Sequence, residues 1–243
     1  MNKKQIRKSK SSRGKWSITT ERYVAYIDIM GFKDMVTNTQ HNEIYSTMKK
    51  VNNKIKIIEN VKWGGVNAKL VKTTTYSDSY MIYSKDSSYD SLYSIVCTIA
   101  GLSDTLFLEG IPHKGVLSFG EMTLDQYRSI YFGEPLINSY LLQDEIHFYG
   151  IVIHASADIE IYNASNGKAY PFVYRYLCPF KKGSTYHSTI CPMHATVRNS
   201  PKFSYKYSRL VNSINNLKYK TSGHLRQYID NTQDYIKFID SEQ

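Results

Sequence analysis

The hydrophobic positions of this chain alternate between strand-like and helix-like spacing. Residues 23–30 form a short apolar run, rich in β-branched residues and interrupted only by Asp28, which predicts a buried strand ending at Gly31. Apolar residues then recur at steps of three and four, as on one face of an amphipathic helix. These residues are Ile44, Met48, Val51, Ile55 and Ile58.

Two extended runs follow, at 68–75 and 79–84. Because so few residues separate them, they predict a β-hairpin with Asp78 near its turn. We expect a second helix over 91–108, strands at 112–122 and 130–132, a helix at 136–145 and a strand at 148–155. The order β-α-β-β-α-β is typical of an α+β protein with a ferredoxin-like sheet covered by helices.

The chain from about residue 171 has its own pattern. Runs at 172–177 and 184–190 bracket Lys181 and Lys182 and predict a second hairpin. A final helix over 224–238 is expected to turn Leu225, Ile229 and Ile236 inward. Since no repeat or boundary divides the chain, we expect one domain over 21–243, with a C-terminal elaboration from about 171.

Positive charge is concentrated at the N-terminus. The 243-residue chain has a formal net charge of +10, and seven lysines and arginines precede its first acidic residue, Glu21. Because this stretch has little apolar content, residues 1–20 are expected to form a disordered basic arm. The remaining body is only mildly basic, which suits an anionic ligand bound locally and argues against a nucleic-acid-coating surface.

Cysteine usage and hydropathy favour a soluble cytoplasmic protein. Three cysteines are too few and odd in number for a disulfide framework, and we expect neither a membrane span nor a signal peptide. Cys178, His187, Cys191 and His194 include a Cys-x-x-His pair that could suggest zinc. Their spacing fits no compact ligand set well.

Asp28 and Asp78 are the candidate metal ligands. A carboxylate inside an apolar strand is costly unless it is paired or bound to a metal. Two carboxylates on neighbouring strands repel one another until a cation lies between them, and Mg²⁺ and Mn²⁺ prefer such oxygens and phosphate oxygens. Gly31 leads toward a helix N-terminus, where backbone N–H groups can receive phosphate. Either aspartate alone could instead be a capping residue.

These motifs resemble those of class III nucleotide cyclases. Tyr-Ile-Asp28-Ile-Met-Gly31-Phe32 is similar to the family's metal-binding start, and Tyr-Ser-Asp78-Ser is similar to its second metal site. Segments 113–121 and 131–140 resemble the later strands and the helix after them. The resemblance covers about residues 22–160 and implies the ferredoxin-like cyclase fold. It also implies two divalent cations, Mn²⁺ or Mg²⁺, held by Asp28, Asp78 and the carbonyl of Ile29.

The chain departs from the purine-using members of that family at four positions. Those members read the base with a lysine and an aspartate, where this chain has Thr74 and Ile130. They use an asparagine and an arginine near the transition state, where this chain has Ile137 and Leu141 at the approximate positions. The departures imply a smaller, uncharged base pocket around Thr74 and Ile130, of a kind that suits a pyrimidine.

The tail resembles a narrower group, the stand-alone pyrimidine cyclases of bacterial Pycsar anti-phage systems. The similar segments are Tyr-Leu-Cys-Pro-Phe-Lys-Lys-Gly and Gly-His-Leu-Arg-Gln-Tyr-Ile-Asp-Asn-Thr. This likeness implies a homodimer that converts UTP or CTP to the 3′,5′-cyclic monophosphate and pyrophosphate. The cyclic product would act on a separate effector.

The same resemblance implies further contacts to the substrate. Lys114 lies where related enzymes place a basic phosphate contact, and Lys181 or Lys182 would be the second. Phe32 or Tyr45 would wall the base pocket. A purine cyclase, another two-metal phosphoryl-transfer enzyme and a non-catalytic nucleotide-binding scaffold are the alternatives, and the sequence does not choose between UTP and CTP.

Overall fold

The computed structural model describes residues 16–63, 69–193, 201–218 and 222–242. Its strands are β1 Thr19–Ile29, β2 Val71–Tyr76, β3 Ser79–Ser84, β4 His113–Asp125, β5 Ile130–Gly133, β6 Ile151–Ile153, β7 Val173–Phe180 and β8 Gly183–Ile190. Its helices are α1 Phe32–Asn38, α2 His41–Glu59, α3 Tyr89–Leu108, α4 Glu134–Glu145, α5 Ala155–Ser165, α6 Pro201–Lys218 and α7 His224–Ser241.

The strands join into one mixed sheet in the order β2-β3-β1-β4-β6-β8-β7, with β5 paired to the far end of β4. β1 lies between β3 and β4 and is antiparallel to both, whereas β4 and β6 run parallel. The segment from β1 to β4 has the predicted β-α-β-β-α-β order and the ferredoxin-like strand arrangement. The predicted α+β class is confirmed.

The two faces of the sheet carry different side chains, because successive residues of a strand point to opposite sides. On the face that we call the core face, Tyr23, Ala25 and Ile27 of β1 are buried against α2, α3 and α5. On the other face, which we call the mixed face, Val24 is buried with apolar neighbours while Asp28 is only half-buried. The mixed face is covered in part by α4 and α7.

Helix α3 is the central helix of the core face. By length and composition it is the one helix of the described residues that could cross a membrane, with a mean hydropathy of 1.5 in its most apolar window. No segment of that kind was expected from the sequence. In the structure 83% of this window is buried inside the protein, as in the core helix of a globular domain.

The C-terminal elaboration extends the sheet with the β7–β8 hairpin and covers part of the mixed face with α7. The β7–β8 hairpin and the final helix, α7, form as predicted, and Ile229 and Ile236 are buried in an apolar cluster that also contains Val116 and Val152 of the sheet. Leu225 is 40% exposed, so its predicted inward position was wrong. Helix α6, which packs on α3 and α7, was not predicted.

Other boundaries also differ from the predictions. β1 begins at Thr19, so residues 19 and 20, which were expected in the arm, are paired with β4, while residues 1–15 of the arm lie outside the described residues. The strand predicted at 148–155 is limited to β6. Its N-terminal part is instead tied to α7, where the Tyr149 amide donates to Thr232 Oγ1 over 2.8 Å. Its last residue starts α5, which His154 caps by accepting a hydrogen bond from the Ser156 amide.

Candidate active site

Asp28 lies near the end of β1, in the middle of three paired strands. The register places it opposite Ser79 on β3 and opposite Lys114 on β4. Cross-strand partners share one face of a sheet, so all three side chains lie on the mixed face. The structure therefore brings together two residues predicted for the site, Asp28 and Lys114, with Ser79, which was not predicted.

Asp78 reaches the same place through the β2–β3 turn. Ser77 adopts a φ of 47° at the turn, and the Ile29 amide donates to the Asp78 carbonyl over 2.8 Å, which ties the turn to the end of β1. Ser79 Oγ then lies 3.2 Å from Asp28 Oδ1 and 3.5 Å from Asp78 Oδ1. One hydroxyl thus contacts both candidate metal ligands.

The electrostatics of this pair are unfavourable without a cation. Burial raises the pKa of the Asp28 carboxyl above its ordinary value, and the neighbouring Asp78 raises it further. Both effects oppose the charged form, and a bound divalent cation would offset both. The two carboxylates and the backbone carbonyl of Ile29 are hard oxygen donors of the kind that Mg²⁺ and Mn²⁺ prefer, so this donor set fits the implied cations.

The donor set is incomplete on its own. Among the described residues there is no group of three or more His, Cys, Asp or Glu side chains that could hold a metal ion. Cations at Asp28 and Asp78 would therefore need further oxygens from the substrate, the backbone or water. The zinc alternative gains no support, because Cys178 and Cys191 are buried free thiols, and His194 lies outside the described residues.

Lys114 is buried beside the C-terminus of α4. Its side chain is 4% exposed, and its Nζ lies 3.4 Å from the carbonyl oxygens of both Asp144 and Ile146. Burial lowers the pKa of the Lys114 ammonium. Lys181 reaches the same helix end, where its Nζ forms a 2.8 Å ion pair with Asp144 Oδ2. Lys182, the next residue of the β7–β8 turn, is exposed.

Three other residues predicted to contact the substrate lie at the start of α1 and on α2. Gly31, with a φ of 72°, turns the chain from β1 into α1, as predicted. Phe32 packs against the apolar cluster of the core face, and Tyr45 on α2 is 64% exposed. A cleft of 360 Å³ between α1, α2 and the α3–β4 connection includes neither Asp28 nor Asp78, so we do not assign the site to it.

Thr74 and Ile130, the predicted base-reading pair, face opposite ways. Thr74 lies on the mixed face, with its Oγ1 3.2 Å from the Tyr83 hydroxyl. The β4–β5 register places Tyr131 on that face and turns Ile130 away from it, 44% exposed. Tyr131 packs edge to face on Tyr76, with ring centroids 6.1 Å apart. Tyr131, and not Ile130, therefore shares a face with Thr74, because side chains alternate even along this four-residue strand.

Helix α4 departs from the pattern of an ordinary surface helix, because it buries polar residues and exposes several apolar ones. Its buried residues are Pro135, Ser139 and Gln143, two of which are polar. Three of its large apolar residues, by contrast, are 56–60% exposed: Ile137, Tyr140 and Leu141. Leu136 and Leu142 are partly buried against apolar clusters. The inward polar residues bond to the sheet: Ser139 Oγ donates to Ser118 Oγ over 2.9 Å, and Gln143 Nε2 lies 3.5 Å from Asp28 Oδ2. An amphipathic pattern would not have indicated this orientation, so Gln143 was missed.

Comparison with known proteins bears on the fold. No protein-family model matches the chain, and no curated protein matches it. Among solved structures, it is similar to the guanylate cyclase domain of RhGC from Catenaria anguillulae in complex with GTP. That match has a TM-score of 0.53 and 16% identity and covers 72% of this chain and 99% of that one.

Two further structures agree. The catalytic core of a rhodopsin-guanylyl cyclase with converted specificity, in complex with ATPαS, has a TM-score of 0.54 and 17% identity, covering 72% of this chain and 99% of that one. A non-canonical dimeric guanylyl cyclase domain of the RhoGC fusion protein from Blastocladiella emersonii has a TM-score of 0.50 and 17% identity, covering 70% of this chain and 93% of that one. The predicted fold, that of class III nucleotide cyclase catalytic domains, is confirmed.

Proposed function

We propose that this protein is a homodimeric nucleotide cyclase that converts a pyrimidine nucleoside triphosphate, UTP or CTP, to the 3′,5′-cyclic monophosphate and pyrophosphate. Asp28, Asp78 and the Ile29 carbonyl would hold two Mn²⁺ or Mg²⁺ ions. The observation that carries the proposal is the convergence of Asp28 and Asp78 on one hydroxyl, Ser79 Oγ, with Lys114 on the adjoining strand.

Each group has a chemical role in cyclisation. When bound, the two cations supply a lowered pKa for the ribose 3′-hydroxyl and neutralise charge on the triphosphate. Asp28 and Asp78 orient the reacting end of the substrate on the sheet. Lys114 and Lys181 lie at one end of α4 and place positive charge beside it. That charge stabilises the negative charge that develops on the leaving pyrophosphate.

The preference for a pyrimidine rests on the polar residues around Thr74. Its hydroxyl contacts Tyr83, which accepts a hydrogen bond from Gln126, and Lys72 Nζ lies 3.0 Å from Gln126 Oε1. These neutral hydroxyl and amide groups can read a small base by hydrogen bonds. Two of the similar structures were solved with GTP or ATPαS, so a purine cyclase is the second candidate.

The exposed apolar residues of α4 support the homodimer. Ile137 and Leu141 lie one turn apart and are 59% and 60% exposed. Such a stripe on a helix is costly in water and marks a protein contact. A second copy is the natural occupant, because a similar cyclase domain is dimeric. A role in anti-phage defence, in which the product acts on a separate effector, is supported only by the likeness of the tail.

The deciding experiment incubates the full chain with MnCl₂ and each of the four ribonucleoside triphosphates separately, with products separated by liquid chromatography and identified by mass. We expect a cyclic monophosphate and pyrophosphate from UTP or CTP alone. Asp78→Ala should abolish turnover. The matched control is Asp234→Asn, which changes an exposed aspartate paired with Lys237 on α7 and should retain full activity.

Three other results would change the conclusion. A cyclic product from ATP or GTP would replace the pyrimidine assignment with a purine cyclase. Nucleotide binding without any product would indicate a non-catalytic scaffold. Full activity of Asp78→Ala would refute the metal assignment.

A further inference from the structure

The hydroxyl that joins the two carboxylates has a second partner. Tyr26 lies on β1 two residues before Asp28 and on the same face, and its hydroxyl is 2.6 Å from Ser79 Oγ. Ser79 is 5% exposed, so water does not easily replace either contact. Tyr26, Ser79 and the carboxylates of Asp28 and Asp78 form one short hydrogen-bonded chain.

The number of protons in this hydrogen-bonded series determines which group donates in each hydrogen bond. A serine hydroxyl can donate one hydrogen bond and accept two, and an ionised carboxylate can only accept. Ser79 must therefore donate its single hydroxyl proton to a carboxylate, and it can only accept a hydrogen bond from Tyr26. Tyr26 is then the donor, and its proton leaves that of Ser79 free for Asp28 or Asp78.

The other oxygen of Asp28 is approached from α4. Gln143 is 5% exposed, and its Nε2 lies 3.5 Å from Asp28 Oδ2, while Ser79 lies 3.2 Å from Asp28 Oδ1. Donors on both oxygens restrict rotation of the carboxylate group. Side chains that hydrogen-bond to metal ligands in this way orient the ligands and tune affinity for the metal.

We infer that Tyr26, Ser79 and Gln143 are positioning residues that hold the Asp28 and Asp78 carboxylates in the orientation required for divalent cations. The inference rests on the metal site of the proposed function and adds three residues to it. None of the three is itself a metal ligand in this scheme. Their effect is on how tightly a metal binds, independent of which base is used.

The test measures Mn²⁺ affinity directly, by titrating the full chain and following free Mn²⁺ by electron paramagnetic resonance. Tyr26→Phe, Ser79→Ala and Gln143→Leu should each weaken Mn²⁺ binding by roughly ten-fold. Ser79→Thr, which keeps the hydroxyl, should recover most of the affinity. The matched control is Tyr80→Phe, because Tyr80 lies next to Ser79 on the core face and its buried hydroxyl has no hydrogen-bond partner among the described residues.

Each outcome is decisive. Thermal unfolding identifies variants that have lost the fold, and if Ser79→Ala is among them, Tyr26→Phe decides, since it removes one oxygen from a half-buried ring. Folded variants that bind Mn²⁺ as tightly as the wild type would overturn the inference while leaving the proposed function intact. A wild-type chain that does not bind Mn²⁺, or an Asp78→Ala variant that binds it equally well, would overturn both.

Discussion

Replacing Asp28 by asparagine should stabilise the metal-free protein. Ser79 Oγ lies 3.2 Å from Asp28 Oδ1 and 3.5 Å from Asp78 Oδ1, so these oxygens are at most about 7 Å apart. Two unit charges at that distance repel by roughly 0.6 kcal/mol in water and by roughly 2.4 kcal/mol at an effective dielectric constant of about 20. Because Asp28 is half-buried, we expect Asp28→Asn to raise the free energy of unfolding by about 1 kcal/mol.

The assay is urea unfolding followed by circular dichroism, first with EDTA and then with MnCl₂. In EDTA the variant should have the higher midpoint. In MnCl₂ the wild type should gain stability, because the folded state binds the ion, and the variant should gain much less. Gln143 can rotate its amide to accept from the new side chain, so the substitution leaves no necessary clash. The matched control is Asp144→Asn, where Lys181 lowers the pKa of the aspartate, and stability should fall slightly.

The pH dependence of stability gives an independent check that Asp28→Asn stabilises the metal-free protein. The folded-state pKa of Asp28 is raised above the ordinary value of 3.8, so the folded protein binds this proton more tightly than the unfolded chain. The associated stability is present below about pH 4 and is lost as pH rises through the folded-state pKa. The advantage of Asp28→Asn in EDTA should therefore shrink as pH is lowered toward 4. A variant less stable than the wild type in EDTA, or one that Mn²⁺ stabilises equally, would refute the reasoning.

Three further predictions concern the surroundings of the site. Gly115→Ala should destabilise the fold by roughly 1–3 kcal/mol in urea unfolding and weaken Mn²⁺ binding, because the new Cβ would lie 2.6 Å from the Tyr26 carbonyl oxygen; an unchanged midpoint would contradict this. Burial lowers the pKa of His113 to about 4, so the free energy of unfolding should fall as pH drops from about 6.5 to about 4. His113→Gln should reduce this pH dependence in unfolding curves measured across the range. If α4 forms the proposed homodimer interface, Leu141→Glu should give a monomer in light scattering, whereas Ile57→Glu, at an equally exposed position on α2, should leave a dimer. A dimeric Leu141→Glu variant would remove α4 from the interface.

Most of the fold could be predicted from the sequence because its core elements have clear periods. Each of these elements buries one apolar face, so the spacing of its apolar residues indicated the right secondary structure. They are β1, α2, α3 and the two hairpins. Helix α5 was missed because its exposed face carries Ile159 and Tyr162, which blur its amphipathic pattern. Helix α4 was predicted, but the burial of its polar residues Ser139 and Gln143 depends on hydrogen bonds to Ser118 and Asp28 that periodicity cannot report.

The site was predictable to a similar extent. Asp28 stood out because a carboxylate interrupted an apolar run, and Asp78 because a hairpin would bring it alongside. The place of Ser79 beside the two carboxylates depends on distances to two other side chains, and the place of Tyr131 on the mixed face depends on the register of a four-residue strand. A single sequence without structure carries neither kind of information.

The alternation along β1 has a consequence for how this protein can evolve. Tyr23, Ala25 and Ile27 fill the core from one face, while Tyr26 and Asp28 serve the site from the other. Inserting or deleting one residue between them would exchange the two faces over the rest of the strand. Descendants of this gene can therefore replace side chains on either face, but the spacing within β1 is fixed. Length variation should instead accumulate in the connections between elements, where no alternation of side chains between two faces has to be preserved.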